Sequence, residues 1–240
     1  MKKVAFIPAR SGSKRIPHKN IKLLNNHPLI AYAIRSALDS KIFNDVICIT
    51  DSEEYAEIAL SYGASVPFLR PEGISKDASP DIEWVSWILE KLKHNDMHYD
   101  IFSILRPTSP FRNANTIKRA WDQFIKNEKV DSLRAVEKCS QHPGKMWVLN
   151  DKTMQPLYPF SINNTPWHSN QYNVLPEIFV QNASLEIAWT KTIYEKRSIS
   201  GDIIYPFITQ GLEGFDINKE EDWLLAEIYT EKNKTILPKI

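Results

Sequence analysis

Val4-Ala5-Phe6-Ile7-Pro8-Ala9-Arg10-Ser11-Gly12-Ser13-Lys14-Arg15-Ile16-Pro17-His18-Lys19-Asn20 stands near the start of the chain. Its apolar run, Val4 to Ile7, reads as a buried strand, and a helical pattern begins near Pro28, so the residues between form a strand-to-helix loop. Loops at the C-terminal ends of parallel strands are where open α/β sheets bind ligands. Ser11, Gly12 and Ser13 allow close approach to the backbone, and Arg10, Lys14, Arg15 and Lys19 supply charge and donors. Residues 1–38 hold eight Lys or Arg and no acid, although the net charge of the whole chain is +1. A solvated basic loop is the ordinary explanation of such a run. Here the cations are interleaved with Gly, Ser and Pro directly after a strand, which favours a polyphosphate guest. Neither the Walker nor the dinucleotide glycine pattern is present.

Working outward, Leu29 to Leu38 has apolar residues at helical spacing behind Pro28, and Asp45 to Thr50 reads as a second buried strand. Thr50-Asp51-Ser52 offers an N-cap to a helix over Glu53 to Tyr62, with Gly63 as its C′ residue. Strand and helix alternate with short connections, which specifies a parallel α/β sheet. Further strands are expected at Ser65–Leu69, Tyr99–Leu105, Ser132–Val136, Ser184–Thr190 and Ile203–Pro206, with helices at Ile82–Leu92, Asn115–Lys126 and Lys219–Thr230. Between Glu137 and about Pro176 the periodicity weakens, prolines recur, and Trp147, Tyr158, Phe160 and Trp167 accumulate. Such a stretch reads as an arm that packs on something, a second copy of the chain being the expected partner. One domain over 1–240, carrying a dimerisation and sugar-binding insertion at 137–183, is the expected organisation.

Composition narrows the function. The apolar fraction, 42%, supports a core, and Cys48 and Cys139 cannot build a disulfide framework. No Cys/His metal spacing, membrane-spanning run or secretory leader is apparent, so the cytoplasm is expected, with no membrane partner. Near-neutral charge and the lack of an aromatic-basic motif argue against a nucleic-acid partner.

The segment from Ile7 to Asn20 resembles the signature of the acylneuraminate cytidylyltransferases, with CMP-Kdo synthetases as more distant relatives. The resemblance implies a Rossmann-like, mostly parallel sheet flanked by helices, of the nucleotide-diphospho-sugar transferase type. It also implies transfer of CMP from CTP to the anomeric hydroxyl of an acidic nine-carbon sugar, with release of pyrophosphate. By resemblance Arg10 and Lys19 contact phosphates and carry catalysis, Lys14 supports them, Asn20 lies near the nucleotide, and the backbone at Ala9 approaches the base. Leu69-Arg70-Pro71 and the later Asp77 resemble the next motif, where Arg70 is the expected cytosine reader; Asp81 replaces a frequent Ser beside the nucleotide. Leu105-Arg106-Pro107-Thr108-Ser109-Pro110-Phe111-Arg112 is similar to a family segment that holds the acceptor, with no role assigned to Arg112. Thr108 and Ser109 match its hydroxyls, and Arg106 replaces Gln, adding a cation to the sugar pocket. Lys145, in His142-Pro143-Gly144-Lys145, matches a lysine that approaches the sugar carboxylate. Asn182 is retained as a sugar contact, although Val180 and Ala183 replace Arg and Gly.

Gly214-Phe215-Asp216-Ile217-Asn218 is the candidate metal element, with Asn218 where the family often has Asp. Side chains at 216 and 218 share one side of an extended segment. Asp216 and Asn218 could then offer oxygens to Mg²⁺, although capping of the following helix would explain the same cluster. A homodimer is expected, and no covalent nucleophile is required. Two alternatives stay open: a nucleotidyltransferase for another sugar such as Kdo, and a non-catalytic nucleotide- or sugar-binding module.

Overall fold

The computed structural model describes residues 1–240 except Asp77 and Glu128. The chain forms two compact units, Met1–Ala135 with Asn182–Ile240, and Val136–Gln181. The first is built on a six-stranded sheet. The strands are β1 (Lys3–Pro8), β2 (Asp45–Ile49), β3 (Ile101–Ile104), β4 (Ser132–Lys138), β5 (Phe179–Trp189) and β6 (Ile204–Ile208), in the order β6-β4-β5-β3-β1-β2, with residues 136–138 of β4 and 179–181 of β5 counted in the second unit. β1 pairs in parallel with β2 and with β3, and β5 runs antiparallel to β3. This is the mostly parallel, helix-flanked arrangement that the alternation of elements predicts.

Both faces of the sheet are covered, as the unbroken apolar runs require. In β1, Ala5 and Ile7 enter one core while Val4 and Phe6 enter the other; β2 divides likewise into Val46 and Cys48 against Ile47 and Ile49. Helices α1 (Leu29–Ser40) and α4 (Ala114–Lys126) supply Ile30, Ile34, Ile117 and Phe124 to the first core. Helix α3 (Asp81–His94) brings Trp84, Val85, Ile88 and Leu92 to the second. Apolar side chains of this size contribute about 1.5–3 kcal/mol each when fully buried. Burial pushes the Cys48 thiol up to about 12, so it behaves as a core residue.

Caps fix where elements begin. Ser52 Oγ accepts from the Tyr55 amide to start α2 (Glu53–Ser61), and Asn113 closes a capping box with Thr116 at α4. Between β5 and β6 stands α5 (Lys191–Lys196), and α6 (Glu220–Lys232) closes the chain. Trp223 and Ala226 of α6 join Ile16, Leu29 and Phe111 in a third core beneath the first loop. The expected strand at Ser65–Leu69 is reduced to a parallel bridge between Ser65 and Ile47. Pro67 has no N–H to continue a ladder, which ends it there. β5 starts earlier than expected, at Phe179, because its pairing overrides the weak strand preference of Asn182 and Ala183.

The 136–181 unit contains two hairpins, Trp147–Asn150 with Thr153–Pro156 and Ser161–Ile162 with Thr165–Pro166. Asn163 and Asn164 turn the second at φ 48° and 64°, the positive values that a two-residue primed turn demands. Inside the unit Trp167 packs on Phe160 and His142, with ring centroids 4.9 and 5.5 Å away. A Cβ at Gly144 would lie 2.9 Å from both His142 and Trp167, so only glycine fits there. Trp147, Leu149, Tyr158, Phe160 and Tyr172 remain exposed.

Candidate active site

β1, β2 and β3 end side by side, and the loops that leave them converge. The first loop is tied down at several points. The Ala9 amide extends the pairing by donating to the Ile49 carbonyl (2.9 Å), Asn20 Nδ2 donates to the Arg10 carbonyl (3.0 Å), and Ile16 is buried in the third core. Asp51 anchors its middle, one carboxylate oxygen accepting from the Ser11 amide (2.8 Å) and the other from Ser11 Oγ (3.2 Å). A Cβ at Gly12 would meet nothing within 4 Å, so the fold itself does not require glycine there. Arg10, Ser13, Lys14, Arg15 and Lys19 border a cavity of about 560 Å³ whose far wall carries Asn218. Four cations around one concavity suit a polyphosphate.

Lys19 Nζ donates to the Ile217 carbonyl at 2.6 Å, fastening the cradle to the turn that holds Asp216. Burial lowers its pKa, Asp216 works against that shift, and Arg15 and Arg10 add to it. The Ile217 amide in turn donates to the Thr108 carbonyl (2.9 Å), so the turn lies between the phosphate cradle and the loop after β3. Asn218 Nδ2 donates to Asp216 Oδ2 at 2.6 Å, which places both side chains on one side as period two requires. The Asn218 side chain is not the cap of α6; the Asp222 carboxylate caps it by accepting from the backbones of Asn218 (2.8 Å) and Lys219 (3.0 Å). Asp216 Oδ1 is buried and makes no hydrogen bond. An orphaned carboxylate oxygen beside an amide is a fitting donor set for a hard divalent cation. Among the described residues no three or more His, Cys, Asp or Glu are grouped so as to hold a metal ion, so phosphate oxygens and water would have to complete the shell.

A second cavity, of about 240 Å³, gathers Arg10, Lys19, Asn20, Arg70, Asp81, Arg106 and Thr108 from their separate positions in the sequence. Arg70 is buried with its guanidinium 5.7 Å from the Trp84 ring, and its Nε and Nη2 both donate to the Ile74 carbonyl. These bonds close the 70–74 loop on itself; Asp77 lies outside the described residues. Asp81, at the start of α3, accepts from Trp84 Nε1 (2.7 Å) and from Arg106 Nη2 (2.5 Å). The same Arg106 nitrogen donates to Glu186 (3.0 Å), whose other oxygen lies 3.0 Å from Arg134. Burial alone would raise the Asp81 pKa, but its charge interaction and hydrogen bond with Arg106, joined by Trp84 and Arg70, hold it below the ordinary value. Arg106 therefore does not add an uncompensated cation to the pocket, as the sequence suggests. Two acids flank it.

The remaining predicted contacts are placed differently. Ala9 is fully buried. Ser109 is 1% exposed and its hydroxyl has no partner, whereas its neighbour Thr108 lines the cavity. Asn182 donates to Thr209 Oγ1 (2.9 Å) and accepts from the Ser184 amide (3.2 Å), an arrangement that shapes β5. Lys145 belongs to the 136–181 unit, where its ammonium donates to the carbonyls of His168 and Asn170.

A family model described as cytidylyltransferase matches residues 4–205. The chain belongs to the cytidylyltransferase family. Like the rest of that family it is a nucleotidyltransferase. It is 35% identical over 239 residues to a Legionella pneumophila protein named CMP-N,N′-diacetyllegionaminic acid synthase, covering 99% of this chain and 100% of that one. It is 42% identical over 137 residues to a Campylobacter jejuni pseudaminic acid cytidylyltransferase, covering 57% and 59% of the two chains. Among solved structures, a CMP:2-keto-3-deoxy-manno-octonic acid synthetase complexed with CTP shares the fold with a TM-score of 0.71 at 13% identity, over 97% of this chain and 99% of that one.

The roles of three residues of this cytidylyltransferase escape a reading of the sequence. Asp51 looks like part of a helix cap, yet Ser52 caps α2 and Asp51 holds the phosphate loop. Glu186 is a single acid in an apolar strand, with nothing in the order of residues to pair it with Arg106. Arg112 is fully buried, and Nη1 donates to the carbonyls of Arg106 (3.2 Å) and Ser184, binding the loop after β3 to β5. Burial pulls its pKa down to about 9, still cationic at neutral pH.

Proposed function

We propose that this cytidylyltransferase transfers CMP from CTP to the anomeric hydroxyl of an acidic nine-carbon sugar of the sialic, legionaminic or pseudaminic type. The acceptor oxygen bonds to the α-phosphorus, the bond from that phosphorus to the β-phosphate oxygen breaks, pyrophosphate leaves, and the hydroxyl proton is released. The observation that carries this reading is the cationic cradle of Arg10, Lys14, Arg15 and Lys19 facing a turn whose Asp216 has a buried, unused oxygen. The full-length likeness to the Legionella protein supports a nine-carbon acid as the acceptor. Arg10 and Lys19 neutralise charge on the transferred phosphate, Arg70 borders the base, and Thr108 borders the acceptor. Mg²⁺, held by Asp216 and Asn218 together with phosphate oxygens, would supply charge neutralisation at the α-phosphate when bound.

The test is pyrophosphate release from CTP and Mg²⁺ with N-acetylneuraminate, N,N′-diacetyllegionaminate and pseudaminate, beside matched reactions with UTP, ATP and GTP. Release with CTP and one of these acids is expected, with loss on chelation of Mg²⁺. Arg10→Ala and Asp216→Ala should each lower turnover about 100-fold without unfolding the chain. Binding of CTP with no release from any acid would reduce the protein to a nucleotide-binding module.

The exposed aromatic and aliphatic side chains of the 136–181 unit support a homodimer. Light scattering at micromolar concentration with substrates present should give twice the monomer mass, and a monomer there would refute the assembly. No helix among the described residues is long and apolar enough to cross a membrane, in keeping with a cytoplasmic site of action where CTP is made.

A further inference from the structure

We propose that Asp81 and Glu186 act in acceptor selection, as a clamp that fixes Arg106 so that its remaining N–H groups bind an oxygen of the acceptor sugar. The inference rests on the function proposed above. It assigns Asp81 to the acceptor through Arg106, not to the nucleotide.

The hydrogen-bond arithmetic supports the clamp. Arg106 Nη2 has two N–H bonds, one donated to Asp81 Oδ2 at 2.5 Å and the other to Glu186 Oε1 at 3.0 Å. Trp84 Nε1 occupies the second oxygen of Asp81 (2.7 Å), whereas the second oxygen of Glu186 accepts no hydrogen bond and only pairs in charge with Arg134 Nη2 (3.0 Å). Asp81 is thus held at both oxygens and Glu186 at one, and two acids balance two guanidinium groups. Nε and Nη1 of Arg106 make no hydrogen bond among the described residues, and Arg106 shares a cavity wall with Thr108, Arg10 and Lys19. The clamp fixes the Arg106 guanidinium at the wall it shares with Thr108 and leaves the N–H groups of Nε and Nη1 for whatever fills the cavity. Such donors recognise carboxylate or N-acyl oxygens, both of which an acidic amino sugar presents. Asp81 and Glu186 are positioning residues, and Arg106 makes the contact.

A double-mutant cycle with Asp81→Asn, Arg106→Gln and the pair together tests this, with KM measured separately for CTP and for the acid that the wild type uses. Asp81→Asn and Arg106→Gln should each raise the acid KM about tenfold and leave the CTP KM within about twofold. The double variant should be no worse than the poorer single, because both changes remove one contact. A purely structural role would move both KM values and the melting temperature together. If Asp81→Asn does not fold, Glu186→Gln makes the same comparison. Turnover of N-acetylneuraminate against 2-keto-3-deoxy-manno-octonic acid, which has no N-acyl group, separates the oxygens. A selective loss on the former marks an N-acyl contact, and equal losses mark the carboxylate. A raised CTP KM with an unchanged acid KM, or losses that simply multiply in the double variant, would overturn the clamp. A wild type inactive with every acid overturns the functional reading, and this one with it; a failed cycle in an active wild type overturns the clamp alone.

Discussion

The ammonium of Lys19 is half-buried, and burial sets its pKa below 10.5 despite the opposing pull of Asp216. The charged form is the one that binds phosphate, so activity should fall as pH rises through a value lower than that of a free lysine. The alkaline limb of the kcat/KM profile for CTP is therefore expected below pH 10.5. In Lys19→Arg the limb should move upward, because a guanidinium stays protonated to about pH 12 or above. A limb that stays in place in the arginine variant would exclude Lys19 as its origin. Lys19 and Arg10 stand out in the sequence as cations interleaved with small residues after a strand, and both line the two cavities. Asp81 and Arg106 were legible only as two separate departures from a family pattern. Their pairing is set by the start of α3 meeting the end of β3, and residue order does not encode that meeting.

At the level of the element, the phosphate loop has a stiff frame and an open middle, and Asp51 is the strut between them. Asp51→Ala removes both acceptors of Ser11 and should weaken CTP binding about tenfold by calorimetry. Asp51→Asn retains an oxygen for the Ser11 amide and a donor for its hydroxyl, so its loss should be smaller. Wild-type affinity in both variants would show that the loop keeps its shape unaided. Strands of the central sheet were readable because both faces are buried and the runs are uninterrupted. Ser65–Leu69 misled, since apolar content marks it as a strand while Pro67 prevents one.

The first unit as a whole is stapled by Asp131, which lines neither cavity. Its Oδ2 accepts from Lys196 Nζ (2.7 Å) and from the backbone amides of Asp202 (2.7 Å) and Ile203 (3.0 Å). The hydrogen bond from Lys196 and the amide of Ile203, helped by Asp202, hold the Asp131 carboxyl at about 2. A folded pKa below the unfolded value of about 3.9 gives stability that is present above about pH 4 and lost as pH falls toward 2. Melting temperature should decline across that window, and Asp131→Asn should lack that part of the decline. Gly201→Ala should destabilise by more than about 1 kcal/mol in chemical denaturation. Its φ is +66°, and the new Cβ would lie 2.4 Å from Asp131 Cβ. At this scale the sequence revealed the sheet and the change of character near Glu137, because composition is a bulk property; the C-terminal turn was marked as a metal element by resemblance, but the long-range bonds of Ile217 to Lys19 and Thr108 that close it on the site were not legible. That closure joins Lys19 to Ile217 across 198 positions. A ribosome therefore releases the first loop long before the turn with Asp216 and the helix that buries Ile16. The cationic residues come off first and their frame last, so a cup able to capture nucleotide is complete only near the end of the chain's making.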